Sequence, residues 1–117
     1  MSARRGAEWE AVAAEYLAAQ GAEILARNYR RGPGEVDIIV RMDGVVAFVE
    51  VKQRGGLAHG TPGEAVTRLK QARISGAALY YLKEQHLLDE RIRFDVIEID
   101  PEGLRHIKGA FSYVQYS

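Results

Sequence analysis

The stretch EVDIIVRMDGVVAFVEVK, residues 35–52, holds the pattern that decides the fold. Asp43-Gly44 at its centre is the pair best suited to a two-residue hairpin turn, because both central residues of that turn need positive φ. The flanking runs, 35–41 and 45–53, are rich in Val, Ile and Phe and read as antiparallel strands. With Asp43 and Gly44 as the turn, the register sets Asp37 opposite Glu50 and Glu35 opposite Lys52. Period-two alternation then places Val36, Ile38, Val40, Ala47, Val49 and Val51 on one face, an aliphatic layer that must pack on a helix. The other face holds Glu35, Asp37, Ile39, Phe48, Glu50, Lys52 and Arg54.

Directly opposed carboxylates have Cβ atoms roughly 4.5–5.5 Å apart, and like charges there are destabilising, so Asp37 facing Glu50 demands compensation. A divalent cation supplies it. Both carboxylates could reach a Mg²⁺ or Mn²⁺, with waters and a substrate phosphate completing the octahedron. Lys52, one pleat from Glu50 on the same face, could then orient or activate the water that attacks phosphorus. His59, His86 and His106 are scattered, which argues for a hard, oxygen-liganded ion over zinc. The bland alternative is a solvated salt-bridge network in which Lys52 neutralises Glu35 and Glu50. Against it stand the apolar surroundings of these acids and a further acid, Glu10, available on a helix.

That helix is expected over residues 3–20, which are rich in Ala, Glu and Leu, with Gly21 as its stop. Trp9, Val12, Ala13, Tyr16 and Leu17 repeat at helical spacing and should face the core, with Glu10 beside the stripe. Residues 22–29 suggest a first strand, and Arg30-Arg31-Gly32-Pro33-Gly34 a loop. After a Gly-containing loop over 53–60, Thr61-Pro62-Gly63-Glu64 combines an N-cap, Pro at the first helical position and a capping-box Glu, so a second helix should run from there to residue 84. Residues 91–100 alternate as a strand, and 104–111 give a last short one. The expected fold is therefore α/β, a mixed sheet flanked by two helices in the order α-β-β-β-α-β(-β).

At 117 residues the chain is read as one domain spanning 1–117. Its 47% hydrophobic residues fit a folded globule, and zero Cys excludes zinc fingers, thiol nucleophiles and disulfide scaffolds. No apolar signal region follows the first residues and no run approaches a membrane span, so a cytoplasmic protein without a membrane partner is expected. Sixteen Lys and Arg balance sixteen Asp and Glu, so any nucleic-acid affinity must come from a local patch.

The spacing of Glu-Val-Asp-Ile-Ile at 35–39 and Val-Glu-Val-Lys at 49–52 resembles the D…ExK signature of the PD-(D/E)XK nuclease superfamily, with Val36 where that signature has Pro. Gly6, Glu10, Ala13, Tyr16-Leu17, Gly21, Arg27-Asn28, Gly34-Glu35-Val36-Asp37, Phe48-Val49-Glu50-Val51-Lys52, Arg54, Lys70 and Arg93-Phe94-Asp95-Val96 together resemble the YraN family of small bacterial endonuclease-like proteins over nearly the whole chain. The resemblance implies a restriction-endonuclease-like core in which Asp37 and Glu50 bind Mg²⁺, Lys52 is the catalytic lysine and Glu10 is the helical acid, with Glu8 and Glu15 as competitors for that role. It also implies similarity to archaeal Holliday-junction resolvases.

The function this points to is a Mg²⁺-dependent endonuclease acting on DNA, on branched or damaged structures in particular. Arg54 and Lys70 are the first candidates for phosphate contacts, with Arg30, Arg31, Arg4, Arg5, Arg27, Arg68 and Arg73 as further cations for a rim around the acids. A homodimer would match the two-fold symmetry of a branched junction. The alternatives are a non-catalytic module that binds nucleic acid or a protein partner, and a metal-free structural protein. Asp95 is expected to pair with Arg93 or to hold a contact of the fold, and not to bind metal.

Overall fold

The computed structural model describes residues 2–53 and 66–115, with side chains from residue 7 onward. Its elements run α1 (Ser2–Ala19), β1 (Glu23–Arg31), β2 (Gly34–Met42), β3 (Val45–Gln53), α2 (Arg68–Glu84), β4 (Ile92–Asp100) and β5 (Gly103–Phe111). The strands form one sheet in the order β1-β2-β3-β4-β5, antiparallel except for the parallel pair β3–β4, so the α/β mixed sheet is as expected. Among the described residues no helix is long and apolar enough to cross a membrane.

Asp43 and Gly44 adopt φ values of 53° and 74°, as the tight hairpin requires. The resulting register pairs Met42 with Val45 and continues to Ile38 with Val49, and there the β2–β3 ladder stops. On the other side of β2, Ile38 pairs with Arg27 and Val36 with Tyr29, so Asp37 is passed over, and Asn28 opposite it sits at φ 53°. Asn tolerates this left-handed conformation better than other non-glycine residues. Alternation along β2 breaks at the same point. Val36, expected on the face of Ile38 and Val40, instead joins Ile39 and Phe48 on the opposite face.

Arg30 and Arg31, expected in a loop, extend β1 by pairing with Glu35 and Gly34. Gly21 at φ 89° ends α1, with Ala22 N donating to Leu17 O and Gly21 N to Ala18 O, the six-to-one and five-to-two bonds of a Schellman cap. The helix start signal at 61–64 lies outside the described residues, and α2 begins later than expected, at Arg68. Thr67 is its N-cap: its backbone is extended and its hydroxyl accepts from Lys70 N at 3.2 Å.

The helices cover opposite faces. Ala13 and Leu17 of α1 bury against Ile38, Val40, Ala47, Val49, Ile97 and Ile99, with Trp9 and Tyr16 packed at the margin. Val12 does not join them and is 42% exposed, because the line of contact runs through positions 9, 13, 16 and 17. Ile74, Ala77, Ala78, Tyr81 and Leu82 of α2 bury against Ile39, Phe48, Phe94 and Val96. Each fully buried large aliphatic or aromatic side chain contributes about 1.5–3 kcal/mol. The approach of α2 to β2 is set by Gly34, where a Cβ would lie 1.9 Å from the Arg73 carbonyl oxygen. The N-terminal half of α2 therefore rests directly on the start of β2, beside the two acids of the hairpin.

Candidate functional site

The ladder that ends at Ile38 leaves the next backbone donor of β3 without a strand partner, and the Asp37 side chain takes its place: Val51 N donates to Asp37 Oδ2 at 2.7 Å. Glu50 is 4% exposed, on the α2 side of β3, and the Lys70 ammonium reaches its Oε2 at 2.7 Å. The charges of Glu50 and of Glu10 of α1 both act on Asp37, and that of Glu50 acts on Glu10 as well. The three acids on which the sequence reading centred are thus brought together from α1, β2 and β3.

Their ionisation shows the strain. Burial first, and the charge of Glu50 second, push the Asp37 carboxyl up to about 8, against the opposing hydrogen bond from Val51. Glu10 is also raised, by burial and then by Glu35, with Arg27 pulling the other way. Burial alone would lower Lys70, but the hydrogen bond and charge of Glu50 outweigh it and hold the ammonium above the usual lysine range. The cluster is short of positive charge.

A cleft of about 320 Å³ opens on this cluster, lined by Asp37, Glu50, Glu35, Pro33 and Gly34 from the sheet and by Thr67, Leu69, Lys70, Arg73 and Ile74 from α2. Among the described residues no group of three or more His, Asp or Glu side chains converges well enough to hold a metal ion. The oxygen donors of Asp37 and Glu50 still suit Mg²⁺ or Mn²⁺, which bind through one or two carboxylates plus waters and substrate phosphates. A divalent ion would favour the deprotonated form that burial and Glu50 disfavour at Asp37, so the donor set fits, with Glu10 beside it on α1.

The remaining expected site residues divide. Lys52 is half-buried two residues beyond Glu50 on β3 and stands beside Glu98 of β4 in the parallel register. Arg54 and the glycines of the following loop lie outside the described residues. Arg30 pairs with Glu35 at 3.1 Å on the rim of the cleft, whereas Arg31 pairs with Glu84 at the far end of α2. Arg73 lines the cleft. Sequence reasoning missed the capping role of Thr67 and the close approach at Gly34; a glycine opening a strand is a signal of close backbone approach that could have found the latter.

A second charged cluster lies across the sheet. Asp95, fully buried on β4, accepts from Arg93 Nε at 2.8 Å and Nη2 at 3.0 Å, from Gly109 N at 3.0 Å, and bonds His106 Nε2 at 2.8 Å. His106 Nδ1 meets the Tyr16 hydroxyl at 2.9 Å. Burial would raise Asp95, but its bonds to His106, Arg93 and Gly109 prevail and hold it below the usual carboxylate range. The β4–β5 register shifts here, and Asp95 fills the gap, so its pairing with Arg93 is as expected.

Residues 9–99 match the family model described as uncharacterised protein family UPF0102. The chain belongs to this family. It is the one to which the resemblance pointed under the name YraN. A UPF0102 protein of Symbiobacterium thermophilum is 48% identical over 101 residues, covering 86% of each chain. One from Lachnoclostridium phytofermentans is 48% identical over 103 residues, 87% of each chain, and one from Nocardia farcinica is 50% identical over 94 residues, 80% of this chain and 74% of that one. The matched span takes in Glu10, Asp37, Glu50, Lys52 and Lys70.

Proposed function

We propose that this UPF0102 chain is a Mg²⁺- or Mn²⁺-dependent endonuclease that hydrolyses DNA phosphodiesters, with branched or damaged DNA as the favoured substrate. The observation that carries the reading is the Asp37–Glu50 pair, two neighbouring carboxylates lining one open cleft, with the Lys70 ammonium on the buried Glu50. Perturbed acids of this kind concentrate at functional sites. The metal would supply Lewis-acid stabilisation of charge on the phosphate oxygens and a water activated near neutral pH. Asp37 and Glu50 hold it. Glu10 is the helical acid beside Asp37, and Lys52 orients the attacking water. Arg73, Arg30 and Arg54 bind the flanking phosphates, which concentrates positive charge in a chain whose formal net charge is zero. A homodimer would present two such clefts to a junction with two-fold symmetry.

The second reading is a nucleic-acid-binding module that does not cut, which the lack of a three-ligand group among the described residues favours. Cleavage of labelled duplex, single-stranded, flapped and four-way-junction DNA with Mg²⁺ or Mn²⁺ separates the two. The unmodified protein is expected to cut, and Lys52→Ala and Glu50→Ala are each expected to lose activity by at least ~100-fold. Equal background in all three preparations, with DNA affinity kept in EDTA, would establish the binding module instead.

A further inference from the structure

Lys70 was expected to touch phosphate, yet its ammonium is on Glu50 at 2.7 Å. The two partners differ in freedom. Glu50 is 4% exposed and fixed on a central strand, whereas the Lys70 side chain is 48% exposed. The backbone beneath Lys70 is held, because Thr67 caps its N–H and Gly34 seats the next turn of α2 against β2. Only the four-carbon stem can swing. A lysine suits such a role better than an arginine, since its ammonium is a point charge with freely rotating donors and no bidentate fork to break.

The charge count gives the swing a direction. Metal ligands must be deprotonated, so in the loaded site the carboxylates of Asp37 and Glu50 carry two negative charges against one from Lys70. A divalent cation turns this into one positive charge in excess, the amount a phosphodiester neutralises. The ammonium is then surplus at Glu50. Arg73 one turn further along, and the positive end of the α2 dipole at Thr67, make the same cleft favourable for a phosphate within its reach.

We propose that Lys70 is an exchangeable counter-ion, bound to Glu50 while the carboxylate pair lacks a divalent cation and transferred to a substrate phosphate once the pair is loaded. The inference rests on the metal-site reading above and adds to it that metal and DNA bind with positive coupling through one side chain. Such coupling is reciprocal: whatever the metal does for DNA affinity, DNA does for metal affinity.

The test is a calorimetric titration of the full chain with MnCl₂, together with fluorescence anisotropy of a labelled DNA duplex in EDTA and in Ca²⁺. Lys70→Met and Lys70→Gln are run beside the unmodified protein and Asp37→Asn, with each variant's fold checked by thermal melting. Removing the competing ammonium should tighten Mn²⁺ binding about tenfold without DNA. Ca²⁺ should raise the DNA affinity of the unmodified protein about tenfold and steepen its salt dependence by about one phosphate contact, while both Lys70 variants gain less than about twofold. Equal or weaker Mn²⁺ binding in both Lys70 variants, with binding lost in Asp37→Asn, would overturn the exchange and leave the metal site standing. Absence of Mn²⁺ heat from every preparation would overturn the metal site and the exchange together.

Discussion

Asp37 and Asp95 sit on one five-stranded sheet, each at a point where a ladder is interrupted, and the fold treats them in opposite ways. Asp95 has four donors, two of them from Arg93, and is held ionised. Asp37 has one backbone donor, faces Glu50 and Glu10, and is pushed up to about 8. A carboxylate that the chain neutralises for itself is part of the architecture. One that the chain leaves short of positive charge, at the edge of an open cleft, is the one assigned to a metal ion in the proposed function.

The contrast breaks most sharply under mutation. Asp95→Ala leaves the Arg93 guanidinium, the enclosed His106 ring and the Gly109 N–H without their acceptor, and is expected to cost about 3–5 kcal/mol in urea unfolding. Gly34→Ala comes next, at about 2–3 kcal/mol, because α2 must move off β2 to admit the new carbon. Asp37→Asn should do the reverse of both. Its amide oxygen still accepts from Val51 while the repulsion with Glu50 is gone, so the metal-free protein at pH 8 should gain about 1–2 kcal/mol, roughly 5–10 °C in Tm. Arg30→Ala, which removes an exposed ion pair, should change stability by less than about 0.5 kcal/mol.

The two aspartates also bend the pH profile in opposite senses. The lowered value of Asp95 gives stability that is present above its unfolded value near ~4 and is lost as the pH falls through the folded one. The raised value of Asp37 leaves the folded state unpenalised below ~4, then costs increasingly as the pH rises toward about 8, because the unfolded chain ionises first. Denaturation in EDTA across pH 4–9 should therefore show an Asp37 contribution that lowers stability steadily from about pH 4 to about pH 8 and levels off above it, and Asp37→Asn should remove that decline.

Much of this was legible in the residues. Asp43-Gly44 set the hairpin register, and its continuation pointed to Asp37 and Glu50 as neighbours, and the two line the same cleft. What escaped was the local failure of alternation. Val36 packs on the opposite face from Ile38 and Val40, next to the point where Asp37 is passed over in the ladder and Asn28 opposite it is left-handed, and a period-two pattern contains no trace of such an irregularity. The start of α2 was misplaced for a related reason: a Thr-Pro-Gly-Glu run is a stronger local signal than a lone Thr67, and the packing of Gly34 against Arg73 is a long-range contact. The Tyr16–His106–Asp95 chain joins three elements far apart in sequence, so its histidine looked isolated.

Thermal melting at pH 8 in EDTA and in Mn²⁺, for the unmodified protein and Asp37→Asn side by side, tests the central claim most directly. We expect Mn²⁺ to raise the Tm of the unmodified protein by several degrees, to or beyond that of the variant, and to leave the variant where it was. A Tm of the unmodified protein that does not respond to Mn²⁺, or an equal response in both proteins, would contradict the assignment of Asp37 and Glu50 as a metal site.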